Sequence, residues 1–151
     1  MTDENNKDME ESSKLELALS NNEDSTLFDL TSSKIKTIKN NVLQQLHLDR
    51  ETLKEYHKKL KDYRYVDEIP DLQYGNYIRW IPLKDPENIK LTHGGYLVNI
   101  DIIDGVGIYI KCKTIKNRFF HFHLDTAMVF QKLNCEEKII LKALDYIAES
   151  K

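Results

Sequence analysis

His121, Phe122 and His123 place two imidazoles on one side of an extended chain, near enough to share a metal ion. A zinc site needs a fuller set of donors, and neither His93 nor Cys135 stands at a recognisable ligand spacing from that pair. Nucleophilic catalysis has less to build on. No Gly-x-Ser-x-Gly elbow occurs, and neither Cys112 nor Cys135 sits in a nucleophile signature. Gly105 and Gly107 begin a Gly-x-Gly, but no third glycine and no helix start follow, so the stretch reads as a hairpin rather than a phosphate cradle. Asp101 and Asp104 lie near the same turn with no base or electrophile to pair with. The expectation is a non-enzyme with no catalytic residues, no metal and no cofactor.

What remains is a binding set. Tyr77, Arg79, Tyr109, Lys111, Lys113, His121 and His123 alternate with apolar neighbours and so face away from them. Aromatic faces interleaved with cations suit single-stranded nucleic acid, because bases stack and phosphates are neutralised. The same set can hold a peptide, or a methylated cation in an aromatic pocket. It can also be covered by the N-terminal helical segment, and cations on strand faces serve as edge protection.

These residues need strands to position them, and the alternation supplies them. Val98, Ile100 and Ile102 are separated by Asn99 and Asp101; Val106, Ile108, Ile110 and Cys112 run opposite Tyr109, Lys111 and Lys113; Phe120, Phe122 and Leu124 flank the histidines. A period of two with β-branched and aromatic residues marks half-buried strands. Ile102 and Ile108 share a face only if the loop between their strands holds an odd number of residues. A two-residue Asp104-Gly105 turn breaks that pattern. A three-residue loop asks Val106 to turn left-handed, which a β-branched residue resists. A five-residue loop over 103–107 is therefore expected, its glycines taking any positive φ. In the next hairpin, Cys112 opposite Phe120 leaves Ile115, Lys116 and Asn117 as the loop, with Asn117 left-handed. Ile100, Ile110 and Phe122 then look into one interior.

The rest of the chain of 151 residues divides by composition. Its formal net charge of −3 hides an asymmetry: residues 1–30 hold nine acids and two lysines, and the remainder is net +4. The first segment, 1–32, reads as a disordered acidic tail that solubilises the chain, masks a basic surface or recruits a basic partner. It lacks the basic and apolar regions of a signal peptide. Residues 33–65 read as helical. Ile35, Ile38, Val42 and Leu46, then Leu53, Tyr56, Leu60 and Tyr63, follow spacings of three and four. Asp49 either caps a second helix or interrupts one long one. As a coiled-coil seam the stripe has flaws at Lys39 and Asp49; it must pack on the strands, self-associate or meet a partner helix.

A connector, 66–75, contains Pro70. The strand region, 76–133, opens with Ile78 and Trp80 inward and Tyr77 and Arg79 outward, with Ile81 breaking the alternation. Ile89 to Leu91 begin the next strand, and the last runs from Phe130 to Leu133. A final helix, 134–151, starts from an Asn134–Glu137 capping pair and carries Ile140, Ala143, Leu144 and Ile147, widened by Ile139 and Tyr146. No apolar run approaches the roughly 20 residues that span a bilayer. Two cysteines make no disulfide framework, so a reducing, intracellular compartment is expected and no membrane.

The fold expected is α+β: a small antiparallel, about five-stranded barrel, preceded by one or two amphipathic helices and closed by a C-terminal helix. Short strands with Gly-marked bends, opened by Tyr77-Ile78-Arg79-Trp80-Ile81 and closed by Val129-Phe130-Gln131-Lys132-Leu133, resemble an SH3-like or Tudor-like barrel. The abundance of Lys, Ile and Asn, and phrases such as Gly75-Asn76-Tyr77-Ile78-Arg79-Trp80-Ile81, resemble proteins of large DNA viruses of eukaryotes, which implies the host cytoplasm or the virion. The barrel resemblance implies a binding module for peptides, modified tails or nucleic acid. The chain departs from it in having no clear aromatic cage and no SH3 ligand-groove motif. The functional expectation is an interaction or assembly module with a protein partner or self-association through its helical segment. The alternative is a single-stranded nucleic-acid binder with an autoinhibitory acidic tail.

Overall fold

The structure, a computed structural model, describes residues 30–149. The expected disordered tail, 1–32, lies outside them apart from its last three residues. The chain divides into two units, residues 36–132 and a smaller one made of 1–35 with 133–151.

Among the described residues two helices precede the sheet. Helix α1 (Ser32–Gln44) ends before His47, which is left-handed at φ 52, and α2 (Arg50–Lys59) begins at Asp49, whose carboxylate accepts from the Thr52 amide at 3.0 Å. Asp49 is thus a cap, and there are two helices. In the larger unit their buried apolar positions are Leu43, Tyr56 and Leu60, which pack against Ile81, Met128 and Phe130 of the sheet. The expected stripe is rotated. Leu43 is fully buried whereas Ile38 remains 39% exposed, with Val42 and Leu46 at the margin.

The helical segment also ends earlier than expected. Tyr63–Val66 is strand β1, paired with the last strand. Two tyrosines and a valine suit a pleated surface, and pairing overrides the three-and-four spacing that had joined Tyr63 to the helix. The other strands are β2 (Tyr77–Pro82), β3 (Gly95–Ile103), β4 (Gly107–Lys113), β5 (Phe119–His123) and β6 (Ala127–Lys132). All pairs are antiparallel, in the order β1-β6-β2-β3-β4-β5.

The expected barrel is therefore corrected to an open six-stranded sheet among the described residues. The end strands, β1 and β5, do not pair with each other, and β6 sits between β1 and β2, using both its edges there. Ile89 to Leu91 form no strand; Gly94, at φ 90, turns the chain so that β2 meets β3 only at Tyr77↔Tyr96 and Ile78↔Gly95.

Register follows the alternation in most places. Ile100 faces Ile110, Ile110 faces Phe122, and all three pack in one apolar cluster with Trp80. Cys112 faces Phe120, and Asn117 is left-handed at φ 62, as its hairpin requires. The other hairpin is shorter than expected. Ile103 pairs with Gly107, leaving a three-residue loop, 104–106. Gly105 and Gly107 take the positive φ (77 and 122) and Val106 is spared. The register also shifts between Leu97 and Asn99. That bulge makes Leu97, not Val98, the inward neighbour of Ile100.

Strands β2 and β6 are buried on both sides. Ile78, Trp80 and Val129 face one core and Ile81, Met128 and Phe130 the helices, which explains why Ile81 breaks the alternation. Beneath the first core Arg64, Asp71 and Gln131 are buried together. Gln131 Nε2 donates to the Asp71 carbonyl at 2.8 Å, and its Oε1 accepts from the Gln73 amide at 2.9 Å. This network ties the connector over β6.

In the smaller unit, helix α3 (Cys135–Glu149) starts at the expected capping pair: Glu137 N donates to Asn134 Oδ1 at 2.8 Å and Asn134 N to Glu137 Oε1 at 3.2 Å. Ile140 and Leu141 are buried with Ile35, and Leu30, Leu133 and Leu144 surround them. Ile147 and Tyr146, expected in the stripe, are exposed. Asp145 accepts from the Ser32 amide at 2.8 Å and its hydroxyl at 2.6 Å, satisfying the first turn of α1. Among the described residues no helix is long and apolar enough to cross a membrane.

Candidate binding groove

The curl of the sheet brings β5 back toward β2. Trp80 and Phe122 stack with ring centroids 4.5 Å apart, although β3 and β4 stand between their strands. The two strands do not pair, and the seam between them opens as a groove of about 1050 Å³.

Phe120, His121, Phe122 and His123 all line this groove. Successive strand residues point to opposite faces, so four in a row line a groove only where the strand presents its edge. That edge is unpaired among the described strands, since β5 pairs with β4 alone.

The opposite wall is Trp80, Pro82 and residues 92–94. Hydrogen bonds hold it in place. Thr92 N donates to Trp80 O at 3.0 Å, Trp80 N donates to Thr92 Oγ1 at 3.2 Å, and Arg79 Nε donates to Thr92 O at 2.8 Å. The Tyr77 hydroxyl donates to the His93 carbonyl at 2.7 Å. Burial raises the Tyr77 pKa, against the pull of Arg79, so the hydroxyl keeps its proton for that bond.

The chemistry of the lining is uneven in a useful way. Its floor is aromatic, from Trp80, Phe120 and Phe122, and its margin carries Lys84, Lys116 and Arg118. No Asp or Glu occurs among the described residues that line it. The lining thus sets aromatic surface beside cationic side chains.

The seven expected site residues are divided between two places. Tyr77, Tyr109, His121 and His123 reach the groove, with the Tyr109 and His123 rings 3.9 Å apart. Arg79 supports the wall at Thr92. Lys111 and Lys113 lie on the face of β4 turned from the aromatic core. There Lys111 stands opposite Asn99 and His121, and Lys113 opposite Tyr96 and Phe119. The Lys111 ammonium sits 4.6 Å from the Phe119 ring centroid. Among the described residues no three His, Cys, Asp or Glu side chains gather as a metal site.

Sequence reasoning missed Lys84, Lys116 and Arg118, and took Trp80 and Phe120 as core alone. A signal existed in the cations bracketing the tight turn at Asn117, directly before two phenylalanines. That β5 is an edge has no local signature. Comparison with family models, with curated proteins and with solved structures gave no match to this chain.

Proposed function

We propose that the chain is a non-enzymatic interaction module that takes an extended segment of a protein partner into the seam beside β5. The observation that carries this is an edge of β5, unpaired among the described strands, that faces an aromatic groove. Free backbone donors and acceptors on an edge pair with an added strand, while pockets beside the edge take its alternate side chains. Lys84, Lys116 and Arg118, with no carboxylate among the described lining residues, favour acidic neighbours in the partner. Self-association through the helical segment is the weaker route, because Leu43, Tyr56 and Leu60 are already buried on the sheet.

The test is titration of the full chain with a ten-residue peptide of alternating Leu and Glu, up to millimolar concentration, read by hydrogen exchange of β5 amides. Saturable protection that is lost in Phe120→Ser and weakened in Arg118→Glu is expected. No protection, or protection indifferent to both substitutions, sinks the reading.

A second reading has its own observation. Tyr77, Tyr96, Lys113 and Phe119 follow one another across four strands in register, on the face turned away from the aromatic core. This row suits stacking of single-stranded nucleic acid. A fifteen-nucleotide oligo-dT added in place of the peptide separates the two. Binding that falls steeply with salt and is lost in Phe119→Ser supports the nucleic-acid reading.

A further inference from the structure

The β3–β4 hairpin runs past the strands beside it. β2 pairs with β3 only at Gly95 and Tyr96, and Gly75 and Asn76 bond the backbone of Leu97. From Val98 to Ile103 the side of β3 away from β4 has no partner among the described strands. On the other flank β5 stops at the level of Tyr109. Residues 101–106 therefore stand clear of the sheet, and all of them are exposed. Ile102 is 68% exposed, with Ile103 and Val106 exposed beside it. Residues 98–108 also contain Asp101 and Asp104 and no lysine or arginine. An open strand edge, apolar and acidic, is the complement of the seam. There the floor is aromatic, the margin cationic, and the described lining free of carboxylates.

We infer that the free edge of β3 in one copy adds as a strand to β5 of a second copy, head to tail. Within one chain β4 lies between β3 and β5 and pairs with both, so this edge of β3 meets a β5 edge on another copy. Antiparallel addition puts Asp104, just past the end of β3, beside Lys116 and Arg118 at the entry to β5. Ile102 then meets the aromatic floor. Length agrees: residues 98–103 span roughly 20 Å, and the five residues of β5 offer roughly 17 Å of edge. The inference rests on the reading of the seam as a strand-accepting site, and it names the partner. Donor and acceptor edges differ, so every joined pair keeps one of each. Such contacts close into a ring or extend as a filament. Assembly covers two open edges at once, which guards both against pairing at random.

The experiment is sedimentation of the full chain from micromolar to millimolar concentration, beside a donor variant, I102S/I103S, and an acceptor variant, Phe120→Ser. The average mass of the unaltered chain should rise with concentration, while each variant alone stays monomeric. An equal mixture of the two variants should form a heterodimer and nothing larger, since one intact donor meets one intact acceptor. A symmetric contact has no such mixing behaviour. A monomeric unaltered chain, association of either variant alone, or a mixture that stays monomeric overturns the inference. Charge exchange tests the register in chains whose apolar residues are intact. K116E/R118E should weaken association at least about tenfold, and adding Asp104→Arg to that chain should recover it. A loss that is not recovered overturns the antiparallel contact.

The alternating Leu–Glu peptide keeps the two claims apart. If it protects β5 in a Phe120-dependent way while the unaltered chain stays monomeric, the seam reading stands and self-assembly fails. If the peptide gives no protection and the chain does not associate, both fail. Protection of β5 in the donor variant, with the peptide dissolving the assembly of the unaltered chain, supports both.

Discussion

The Lys39 ammonium donates to the Leu60 carbonyl at 2.7 Å, and it reaches the Tyr63 carbonyl at 3.0 Å. A cation buried on α1 therefore closes the end of α2 and the turn into β1, where free carbonyls gather and the helix dipole is negative. Lys39→Met keeps the stem and removes the donor. It should cost about 1–3 kcal/mol, because several buried acceptors lose their partner; urea midpoints at pH 7 measure this. Burial lowers the Lys39 pKa, with Lys36 adding to the effect and Asp62 opposing it. Between that lowered value and the ordinary 10.5, the unfolded chain binds more protons, so stability from this group rises with pH. The unaltered chain should thus gain on Lys39→Met as pH approaches 10.5.

Gly94 should not tolerate a side chain. Its φ is 90, and a Cβ would run into the Ile78 carbonyl and come within 2.8 Å of Arg79 Cγ. Backbone cannot yield there without breaking the short β2–β3 pairing. Gly94→Ala should lower stability by about 2–4 kcal/mol. Gly75→Ala is the control: it has φ 85 but nothing within 4 Å, so it should cost about 1 kcal/mol. Thermal melts of the two variants decide.

These residues also mark what was legible in advance. Ile100, Ile110 and Phe122 could be placed on one face because their period is local and the turn residue Asn117 fixed the register. Asn134 and Glu137 were readable for the same reason. Leu43 was not, since which side of a helix is buried depends on what it packs against. Lys39 looked like a flaw in an apolar stripe because its acceptors lie 21 and more residues away. Tyr63 continued a helical spacing until pairing with Lys132 made it a strand. The site suffered most from this. Alternation found four of the groove residues, but strand order made β5 an edge and opened the seam, and strand order is written in no single segment.

The two thiols should behave oppositely. Cys112 is buried beside Ile110 and Leu97, and burial pushes its pKa up to about 12. Cys135 is exposed at the start of α3. Iodoacetamide at pH 8 should modify one thiol in the native chain and two in urea, by intact mass. Rapid double labelling under native conditions would contradict the buried register of β4.

Phe120 and Phe122 should separate stability from binding. Phe122 stacks on Trp80 and packs in the apolar cluster, so Phe122→Ala removes contacts from both. For a half-buried ring this should cost about 1–3 kcal/mol, below the range for fully buried phenylalanines. It should also raise acrylamide quenching of Trp80. Phe120 is 48% exposed, two residues away on the same side of β5, and it lines the groove where the ring meets solvent. Phe120→Ala should change stability by about 0.5 kcal/mol or less. Its loss should still weaken binding of the alternating Leu–Glu peptide by tenfold or more, the scale of one aromatic anchor. Denaturation of each variant beside a peptide titration checks both halves. If Phe120→Ala unfolds the chain, or if Phe122→Ala leaves both stability and Trp80 quenching unchanged, the stacked seam does not hold β5 against β2.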